Sequence, residues 1–253
     1  MPEYMCHVPV APIRAEAAHR SEQISQLLFG EACEAIEVLG DFTKVTLKYD
    51  GYVGWCQSVQ LTEMTEPANN TFISSDWTST VFINYEKMKV PSGSSFSFFK
   101  DGKMKAGNQY FDFEGRMIDT SANTFSRFAV KKLALQFLNT PYVWGGRSVF
   151  GIDCSGFTQL VYKFFNVPLL RDAYQQFEQG DAVRVIDYAA AGDIAFFDNE
   201  AGDITHVGIM LDLRTIIHAS GKVRIDDINS KGIINTDTGE STHRLQGIRR
   251  MVK

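Results

Sequence analysis

Apolar and polar residues alternate along the first quarter of the chain, and this alternation predicts short β-strands. Within EACEAIEVLGDFTKVTLKYDGYVGWCQSVQLTE the alternating apolar positions are Ile36, Val38, Val45, Leu47, Val53 and Trp55. Side chains at every second position face the same side of a strand, and the triplets LGD and YDG supply turns between strands. Short strands at this spacing predict a small β-barrel over residues 1–63.

The stretch from about residue 71 to about residue 119 has a similar strand-like pattern of apolar and polar residues. STVFINYEKMKVPSGSSFSFF and NQYFDFEGRMI read as strands, with Gly and Pro marking the turns. Length and pattern, rather than direct similarity to the first stretch, predict a second small β-barrel over residues 64–122.

Helical periodicity replaces the alternation from about Ser121 onward. The run that ends before Pro141 has apolar residues at broadly helical spacing, namely Phe128, Leu133, Leu135, Phe137 and Leu138. A second run follows Cys154 with the spacing i, i+3, i+4, i+7, i+8, at Phe157, Leu160, Val161, Phe164 and Phe165. The strand-like runs GDIAFFD, THVGIMLD, RTIIHAS and KVRIDDI come next. Helices followed by an antiparallel sheet predict an α+β domain over residues 123–253.

Composition and charge narrow the possible partners. The chain has 253 residues, of which 44% are hydrophobic and 22% charged, and a net charge of −5. These values are typical of a globular protein, and the lack of a basic stripe argues against nucleic acid or an anionic membrane as the main partner. No apolar run is long enough to span a bilayer, and the first residues lack an apolar export signal. The sequence as written predicts a cytoplasmic protein, with a periplasmic location open if an export signal has been removed.

Cys154 lies between a loop that contains several glycines and the second predicted helix. Asp153 precedes it and is a suitable N-cap, which places Cys154 in the first turn of the helix. Unpaired backbone N–H groups and the helix dipole favour negative charge there, so we expect this thiol to be shifted toward the nucleophilic thiolate. The alternative is a buried structural cysteine. The remaining cysteines, Cys6, Cys33 and Cys56, are predicted to be core residues.

A cysteine nucleophile needs a base and usually a third group that orients the base. His206 and His218 lie in two predicted strands, and a hairpin turning about Asp212 would place them directly opposite each other. One imidazole would take the thiol proton while the other orients it. The other histidines lie in polar, terminal stretches and are predicted to be surface residues, namely His7, His19 and His243.

Other chemistries find less support. Cys154, His206 and His218 lack an obvious fourth ligand for a zinc site. Ser155 is not in a GxSxG elbow, and neither a phosphate-binding loop nor a dinucleotide fingerprint is present. The acidic loop lacks the spacing of a calcium-binding EF-hand; its residues are Asp193, Asp198, Asn199 and Asp203. The sequence therefore predicts no metal and no organic cofactor.

The motifs TPYVWGG, DCSGF, AGDIAFF, THVGIM and IIHAS occur in this order over about residues 124 to 253. Together they resemble the NlpC-type cell-wall peptidases, papain-like cysteine enzymes that cut γ-D-glutamyl bonds in peptidoglycan peptides. The first quarter, with its DGYVGW hairpin, is similar to a bacterial SH3-like domain. Two such domains ahead of the peptidase resemble the YkfC-like branch, whose members act on murein peptides with a free N-terminal L-alanine and release L-Ala-γ-D-Glu.

This resemblance implies roles for individual residues. Cys154 would be the nucleophile, His206 the general base, His218 the orienting residue, and Tyr142 would lie near the oxyanion. The substrate pocket would be lined by Trp144, Asp153, Ser155 and Asp172, with Glu31 and Tyr52 reaching in from the first barrel. Asp172 would pair with the free ammonium group of the substrate. The chain departs from the family pattern at Ala173, where a serine is expected.

The sequence therefore predicts a papain-like cysteine peptidase preceded by two SH3-like β-barrels. It would hydrolyse the γ-D-glutamyl-L-diamino acid bond of peptidoglycan stem peptides, with the oligomeric state open and a monomer favoured. The sequence does not choose between diaminopimelate and lysine in the substrate, or between free peptide and intact peptidoglycan. Two alternatives remain, a non-catalytic protein that binds cell-wall peptides and a papain-like amidase or acyltransferase.

Overall fold

The computed structural model describes residues 3–65, 68 and 71–252, and its contacts divide the chain into two compact units. The N-terminal unit consists of Met1–Asn123 and Trp144–Phe150, and the C-terminal unit of Thr124–Val143 and Gly151–Lys253. The finer division into domains at 1–63, 64–122 and 123–253 stays a prediction, and its end residues 1 and 253 lie outside the described residues.

The N-terminal unit is built from strands, as the alternating pattern predicts. They are β1 (Glu3–Cys6), β2 (Val10–Arg14), β3 (Gln23–Leu28), β4 (Ala32–Leu39), β5 (Phe42–Leu47), β6 (Val53–Gln57), β7 (Leu61–Met64), β8 (Phe72–Ser74), β9 (Thr78–Ile83), β10 (Glu86–Pro91), β11 (Lys103–Ala106), β12 (Gln109–Glu114), β13 (Met117–Asp119) and β14 (Arg147–Ser148). A 3₁₀ turn, Ser58–Gln60, precedes β7. The first seven strands form one sheet in the order β3-β2-β6-β5-β4-β1-β7. A four-stranded sheet, β10-β9-β12-β11, and a pair, β13-β8, follow; that they form a second SH3-like barrel stays a prediction.

The predicted core of the first sheet is confirmed for its cysteines. Cys6, Cys33 and Cys56 are fully buried and pack together with apolar residues of the same sheet. The predicted alternation fails at Ile36, Val38 and Val53, which are exposed. The pairing of β4 with β5 shifts register between Ala35 and Glu37 at a β-bulge, and every residue from Ile36 to Gly40 is exposed, so this end of the hairpin does not face the core.

The second core of the N-terminal unit joins the first sheet to the strands that follow it. Phe29 packs against Phe96, Phe99 and Phe111, with ring centroids 5.8, 6.1 and 6.2 Å away. These rings are buried in one cluster that also contains Met5 from β1. Aromatic packing of this kind adds about 0.5–1.5 kcal/mol per pair beyond the burial of apolar area.

The C-terminal unit combines helices with one antiparallel sheet. Its elements are α1 (Arg127–Gln136), β15 (Gly151–Ile152), α2 (Cys154–Lys163), α3 (Ala173–Phe177), β16 (Asp181–Val183), β17 (Ile194–Asp198), β18 (Ile204–Met210), β19 (Thr215–Ser220), β20 (Lys222–Asn229), β21 (Gly232–Ile234) and β22 (Ser241–Arg250), with a 3₁₀ turn at Ile186–Tyr188. The sheet order is β16-β22-β17-β18-β19-β20-β21, and β22 also pairs with β21. This agrees in outline with the predicted α+β layout, although β16, β21 and β22 were not predicted. Within the described part of the chain, no helix has the length and apolar character needed to cross a membrane.

Helix α2 lies at the centre of the C-terminal unit. Its predicted apolar face is buried, but so is every other residue from Cys154 to Lys163. The polar side chains are accommodated by hydrogen bonds, because Thr158 Oγ1 lies 2.7 Å from Gln176 Oε1 and Gln159 Nε2 donates to the Leu169 carbonyl at 2.9 Å. The prediction for α1 is less accurate, since Phe128 is 78% exposed.

Gly30 and Gly51 provide a matched test of the second N-terminal core. Both have positive φ, 77° and 73°, but a Cβ at Gly30 would lie 1.7 Å from the Ser95 carbonyl oxygen, whereas a Cβ at Gly51 meets nothing within 4 Å. We expect Gly51→Ala to cost about 1–2 kcal/mol, from the left-handed backbone alone. Gly30→Ala should cost about 1–3 kcal/mol more, because the Ser95 backbone must move. Calorimetric melting of both variants measures the difference, and equal melting temperatures would contradict this packing.

Candidate active site

A buried ion pair fixes the start of α2. Asp153 is the N-cap, as predicted, and its Oδ1 accepts from the Gly156 amide at 2.7 Å. Arg171, which is 1% exposed, donates to both carboxylate oxygens of Asp153 at 3.1 and 2.5 Å and to Ser155 Oγ at 2.9 Å. Asp153 and Ser155 therefore lie in a buried network that holds the first turn of the helix, and their role as pocket-lining residues stays a prediction.

Cys154 is 7% exposed and occupies the first turn of α2. Burial raises the pKa of its thiol to about 12, with a further contribution from the Asp153 carboxylate. Hydrogen bonds from the Val207 and Ser155 amides and the nearby Arg171 guanidinium lower the pKa, but less than burial raises it. The expectation of a thiolate is therefore wrong for this structure, because desolvation outweighs the favourable helix terminus.

The predicted register of the histidine hairpin is also wrong, by two residues. His218 on β19 pairs with Gly208 on β18, not with His206. The turn is centred one residue later than predicted because Asp212 Oδ1 accepts from the amides of Arg214 and Thr215, both at 2.9 Å. Since side chains alternate with a period of two, this shift leaves the two histidines on the same face.

The two imidazoles nevertheless contact each other. His206 Nε2 lies 2.8 Å from His218 Nδ1, and both residues are buried. Gly208 makes this diagonal contact possible, because a Cβ at its position would lie 2.8 Å from the His218 Cβ. Val207, which follows His206, is the residue whose amide reaches the Cys154 thiol. The predicted cysteine and both predicted histidines are thus brought to one place.

Asp226 extends this network and was not found from the sequence. His218 Nε2 lies 2.9 Å from Asp226 Oδ2, and Asp226 is 1% exposed. Arg224 donates to both carboxylate oxygens of Asp226 at 2.7 Å. Thr236 donates to Oδ1 from its amide at 2.9 Å and from its hydroxyl at 3.0 Å. The alternation of KVRIDDI marks Asp226 as a strand residue, but it contains no signal for a buried carboxylate.

His243 is a second correction, because it was predicted to be a surface residue. It lies on β22, is partly buried, and stacks on His206 with ring centroids 4.2 Å apart. Burial, together with the neighbouring His218, lowers the pKa of His243 to about 4, whereas Asp226 raises it. Within the described residues, no group of three or more His, Cys, Asp or Glu side chains is arranged to hold a metal ion.

Tyr142 lies on the strand-like segment beside β15. Its amide donates to the Gly221 carbonyl at 3.0 Å, and it forms a parallel bridge with Ile152. Partial burial raises the pKa of its hydroxyl, and the charges of Cys154 and Asp153 raise it further. The hydroxyl therefore stays protonated beside the thiol and is able to donate a hydrogen bond.

Asp172 and Ala173 begin α3. Asp172 is the N-cap in a capping box, and Gln175 Oε1 accepts from its amide at 3.0 Å. Its side chain is partly exposed, and Ala173 is buried. The structure thus gives Asp172 a local role in starting the helix, and its role in binding substrate stays a prediction.

The remaining predicted site residues belong to the N-terminal unit. Glu31 is 4% exposed and pairs with the buried Arg147, whose guanidinium donates to both carboxylate oxygens at 2.9 and 3.1 Å. Trp144 is 62% exposed, and its indole N–H donates to Glu22 at 2.6 Å. Tyr52 packs against the core of the first sheet. Substrate binding by Glu31, Tyr52 and Trp144 stays a prediction.

Comparison with known families agrees with this geometry. Residues 139–241 match the sequence model of the NlpC/P60 family and contain Tyr142, Cys154, His206, His218 and Asp226. These residues form an NlpC/P60 domain. Residues 13–61, in the first sheet, match the bacterial dipeptidyl-peptidase Sh3 domain. The resemblance of both parts of the chain to their families is confirmed.

Relatives share this combination over most of the chain. The chain is 26% identical over 245 residues to a gamma-D-glutamyl-L-lysine dipeptidyl-peptidase of Bacillus cereus, covering 85% of this chain and 73% of the relative. It is 28% identical over 213 residues to the Bacillus subtilis protein of the same name, covering 77% and 71%. A crystal structure of an NlpC/P60 family protein from Bacillus cereus superposes with a TM-score of 0.85 at 21% identity, covering 99% of this chain and 100% of that one. The last comparison shows that the fold is shared.

The raised pKa of Cys154 predicts how the NlpC/P60 domain reacts with an alkylating agent. A thiol with a pKa of about 12 is almost entirely protonated at neutral pH. We therefore expect the rate of iodoacetamide labelling at Cys154 to rise about tenfold per pH unit from about pH 7 to about pH 10. Cys154→Ala supplies the background from the buried cysteines, and the urea-unfolded chain should level off above its ordinary thiol pKa of about 8.5. A rate that is already constant at neutral pH would contradict a neutral resting thiol.

Proposed function

We propose that this chain is a cysteine dipeptidyl-peptidase that hydrolyses the γ-D-glutamyl-L-diamino acid bond of peptidoglycan-derived peptides. The observation that carries this proposal is the arrangement of Cys154 beside Val207 and of His206 on His218, within one buried site. A nucleophile, a base and an orienting group in contact are what covalent acyl transfer requires. The names of the Bacillus relatives point to the same bond, with L-lysine as the diamino acid.

The reaction follows from the groups present. Cys154 transfers its proton to His206 and attacks the γ-D-glutamyl carbonyl carbon, forming a carbon–sulfur bond and an oxyanion. The oxyanion collapses, the carbon–nitrogen bond breaks, and His206 returns the proton to the leaving amine. Water then attacks the thioester while His206 takes a proton from it, and this step releases L-Ala-γ-D-Glu and restores the thiol.

Two donors are suited to the oxyanion. The Tyr142 hydroxyl stays protonated near the thiol, because burial and the neighbouring negative groups raise its pKa. The Cys154 amide lies at the N-terminus of α2, where the helix dipole favours negative charge. Donors held in a buried site before the charge forms are worth about 2.7–4 kcal/mol each in acyl-transfer enzymes.

The free N-terminus of the substrate is assigned to Asp172. The neighbouring Asp153 has its carboxylate committed to Arg171, so it is poorly suited to bind a second cation. Asp172 is partly exposed at the start of α3. A carboxylate at this place would favour peptides with an unblocked amine, since a blocked amine leaves it without its partner.

Removal of the thiol tests the proposed reaction directly. We expect Cys154→Ala to reduce cleavage of L-Ala-γ-D-Glu-L-Lys by about a thousandfold or more, because no other group supplies the nucleophile. The diaminopimelate peptide is assayed in parallel, and products are identified by mass spectrometry.

Cys56→Ser is the matched control for that loss, because it removes a buried thiol from the N-terminal core and should keep the activity. Full activity in Cys154→Ala would contradict the proposal. A wild-type protein that binds these peptides without cleaving them would support the binding-protein alternative instead.

The charge of Asp172 is tested with Asp172→Asn. Asparagine is as good an N-cap as aspartate, so α3 should be preserved while the charge is lost. We expect KM for the free-amine peptide to rise about 10- to 100-fold, because the charge-assisted hydrogen bond is lost. Cleavage of an N-acetylated peptide, already poor, should change little. An unchanged preference for the free amine would show that the ammonium is bound elsewhere.

A further inference from the structure

Both ring nitrogens of His218 have a hydrogen-bond partner, and this limits which nitrogens of His218 and His206 can carry hydrogen. His218 Nε2 faces the Asp226 carboxylate at 2.9 Å, and His218 Nδ1 faces His206 Nε2 at 2.8 Å. A neutral imidazole has one nitrogen that donates and one that accepts. Asp226, His218 and His206 thus form a chain of hydrogen bonds. Whether Asp226 donates or accepts determines which ring nitrogens of both histidines carry hydrogen.

Asp226 lies at one end of this chain of hydrogen bonds and acts as an acceptor. Burial alone would raise its pKa, but hydrogen bonds from His218, Arg224 and Thr236 hold the pKa well below its usual range. Arg224 is bonded to both carboxylate oxygens, so it already balances the charge of Asp226. The carboxylate thus needs a hydrogen-bond donor at His218 Nε2 but not a second cation.

The tautomers follow step by step. Because Asp226 accepts, His218 carries its hydrogen on Nε2, and His218 Nδ1 is left with a lone pair. Because His218 Nδ1 accepts, His206 carries its hydrogen on Nε2. The lone pair of neutral His206 then lies on Nδ1, the nitrogen that does not face His218.

We propose that Asp226 is a positioning residue which, acting through His218, fixes the tautomer of His206 and makes His206 Nδ1 the atom that accepts the Cys154 proton. This inference rests on the proposed function for its catalytic meaning. The proton moves from Sγ to Nδ1, giving a thiolate and a His206 imidazolium that still donates from Nε2 to His218. Asp226 stays ionised and keeps its hydrogen bond from His218 Nε2, so the transfer is complete with the groups present.

The surroundings of His206 hold the ring in this orientation. His243 on β22 stacks on one face with its plane at 27°, and Phe197 on β17 lies with its centroid 5.8 Å away. Burial, with His218 and His243 nearby, lowers the pKa of His206 well below its ordinary value, which keeps the free ring neutral. His243 has a pKa of about 4, so it adds no positive charge at neutral pH.

The chain offers a matched control for Asp226. Asp237 accepts from the same Arg224 at 2.9 Å, but its side chain is 75% exposed. Asp237→Asn therefore removes a carboxylate from Arg224 without altering the acceptor that His218 faces. Asp226→Asn replaces that acceptor by an amide that can also donate, so it releases the constraint on the His218 tautomer.

The experiment measures ring protonation by ¹⁵N NMR on the histidine-labelled full chain, and kcat and KM on L-Ala-γ-D-Glu-L-Lys. For the wild type we expect hydrogen on Nε2 of both His206 and His218. For Asp226→Asn we expect Nδ1-protonated forms to appear and kcat to fall about 10- to 100-fold at similar KM, the size of loss seen when the group that orients a metal-bound histidine is removed. Asp237→Asn should change neither the tautomers nor kcat.

Hydrogen on His206 Nδ1 in the wild type, or an Asp226→Asn variant with unchanged tautomers and kcat, would overturn the inference. The NMR readout does not depend on turnover, so it separates this result from a failure of the proposed function. Expected tautomers in a chain that cleaves no peptide would contradict the peptidase but support the positioning role. If Asp226→Asn does not fold, the tautomers of the wild-type protein test the inference: hydrogen on Nε2 of both histidines supports it, and hydrogen on His206 Nδ1 overturns it.

Discussion

The buried ion pair between Asp153 and Arg171 fixes the place from which the proposed chemistry starts. Asp153 caps α2, a helix whose every residue is buried, and the pair so holds Cys154 beside Val207 of β18. Removing one partner of such a pair costs about 3–5 kcal/mol, because the other charge is left buried and unpaired. The position of the thiol is therefore set by the fold itself, before any substrate arrives.

The thiol in this position is buried enough to stay protonated, and this determines how the site must work. In the proposed reaction, the raised pKa of Cys154 means that the nucleophilic thiolate forms only when a neighbouring base takes the thiol proton. His206 is held neutral by burial, and its orientation is set by His218 and by the stacked His243. Burial keeps the resting Cys154 thiol and the His206 imidazole neutral, and in the proposed reaction the geometry of the imidazoles determines where the proton goes.

Sequence periodicity predicted the helix and strands that carry the site residues better than it predicted the contacts between those residues. The apolar spacing after Cys154 and the cap at Asp153 located α2, because both signals are local. The hairpin register was wrong because a turn capped by Asp212 shifted it by two residues, and the histidines met only because the period of a strand is two. Arg171 and Asp226 were missed because a buried charge pair does not change the hydrophobic pattern of its segment.

The prediction that His243 is a surface residue failed because of the strand on which it lies. The polar run STHRLQGIRR near the end of the sequence forms β22, and it pairs with β17, which lies far from it along the chain. Its residues are mostly polar and charged, so the sequence contains no sign that this segment pairs with a distant strand.

In the proposed mechanism, the Cys154 sulfur and His206 Nδ1 face each other within one buried site. Treatment with 1,3-dibromoacetone, which joins a thiol to a nearby imidazole, followed by peptide mass spectrometry, tests this directly. We expect one main cross-link, between Cys154 and His206. Reagent attached to Cys154 alone, or linked to His243 instead, would contradict it.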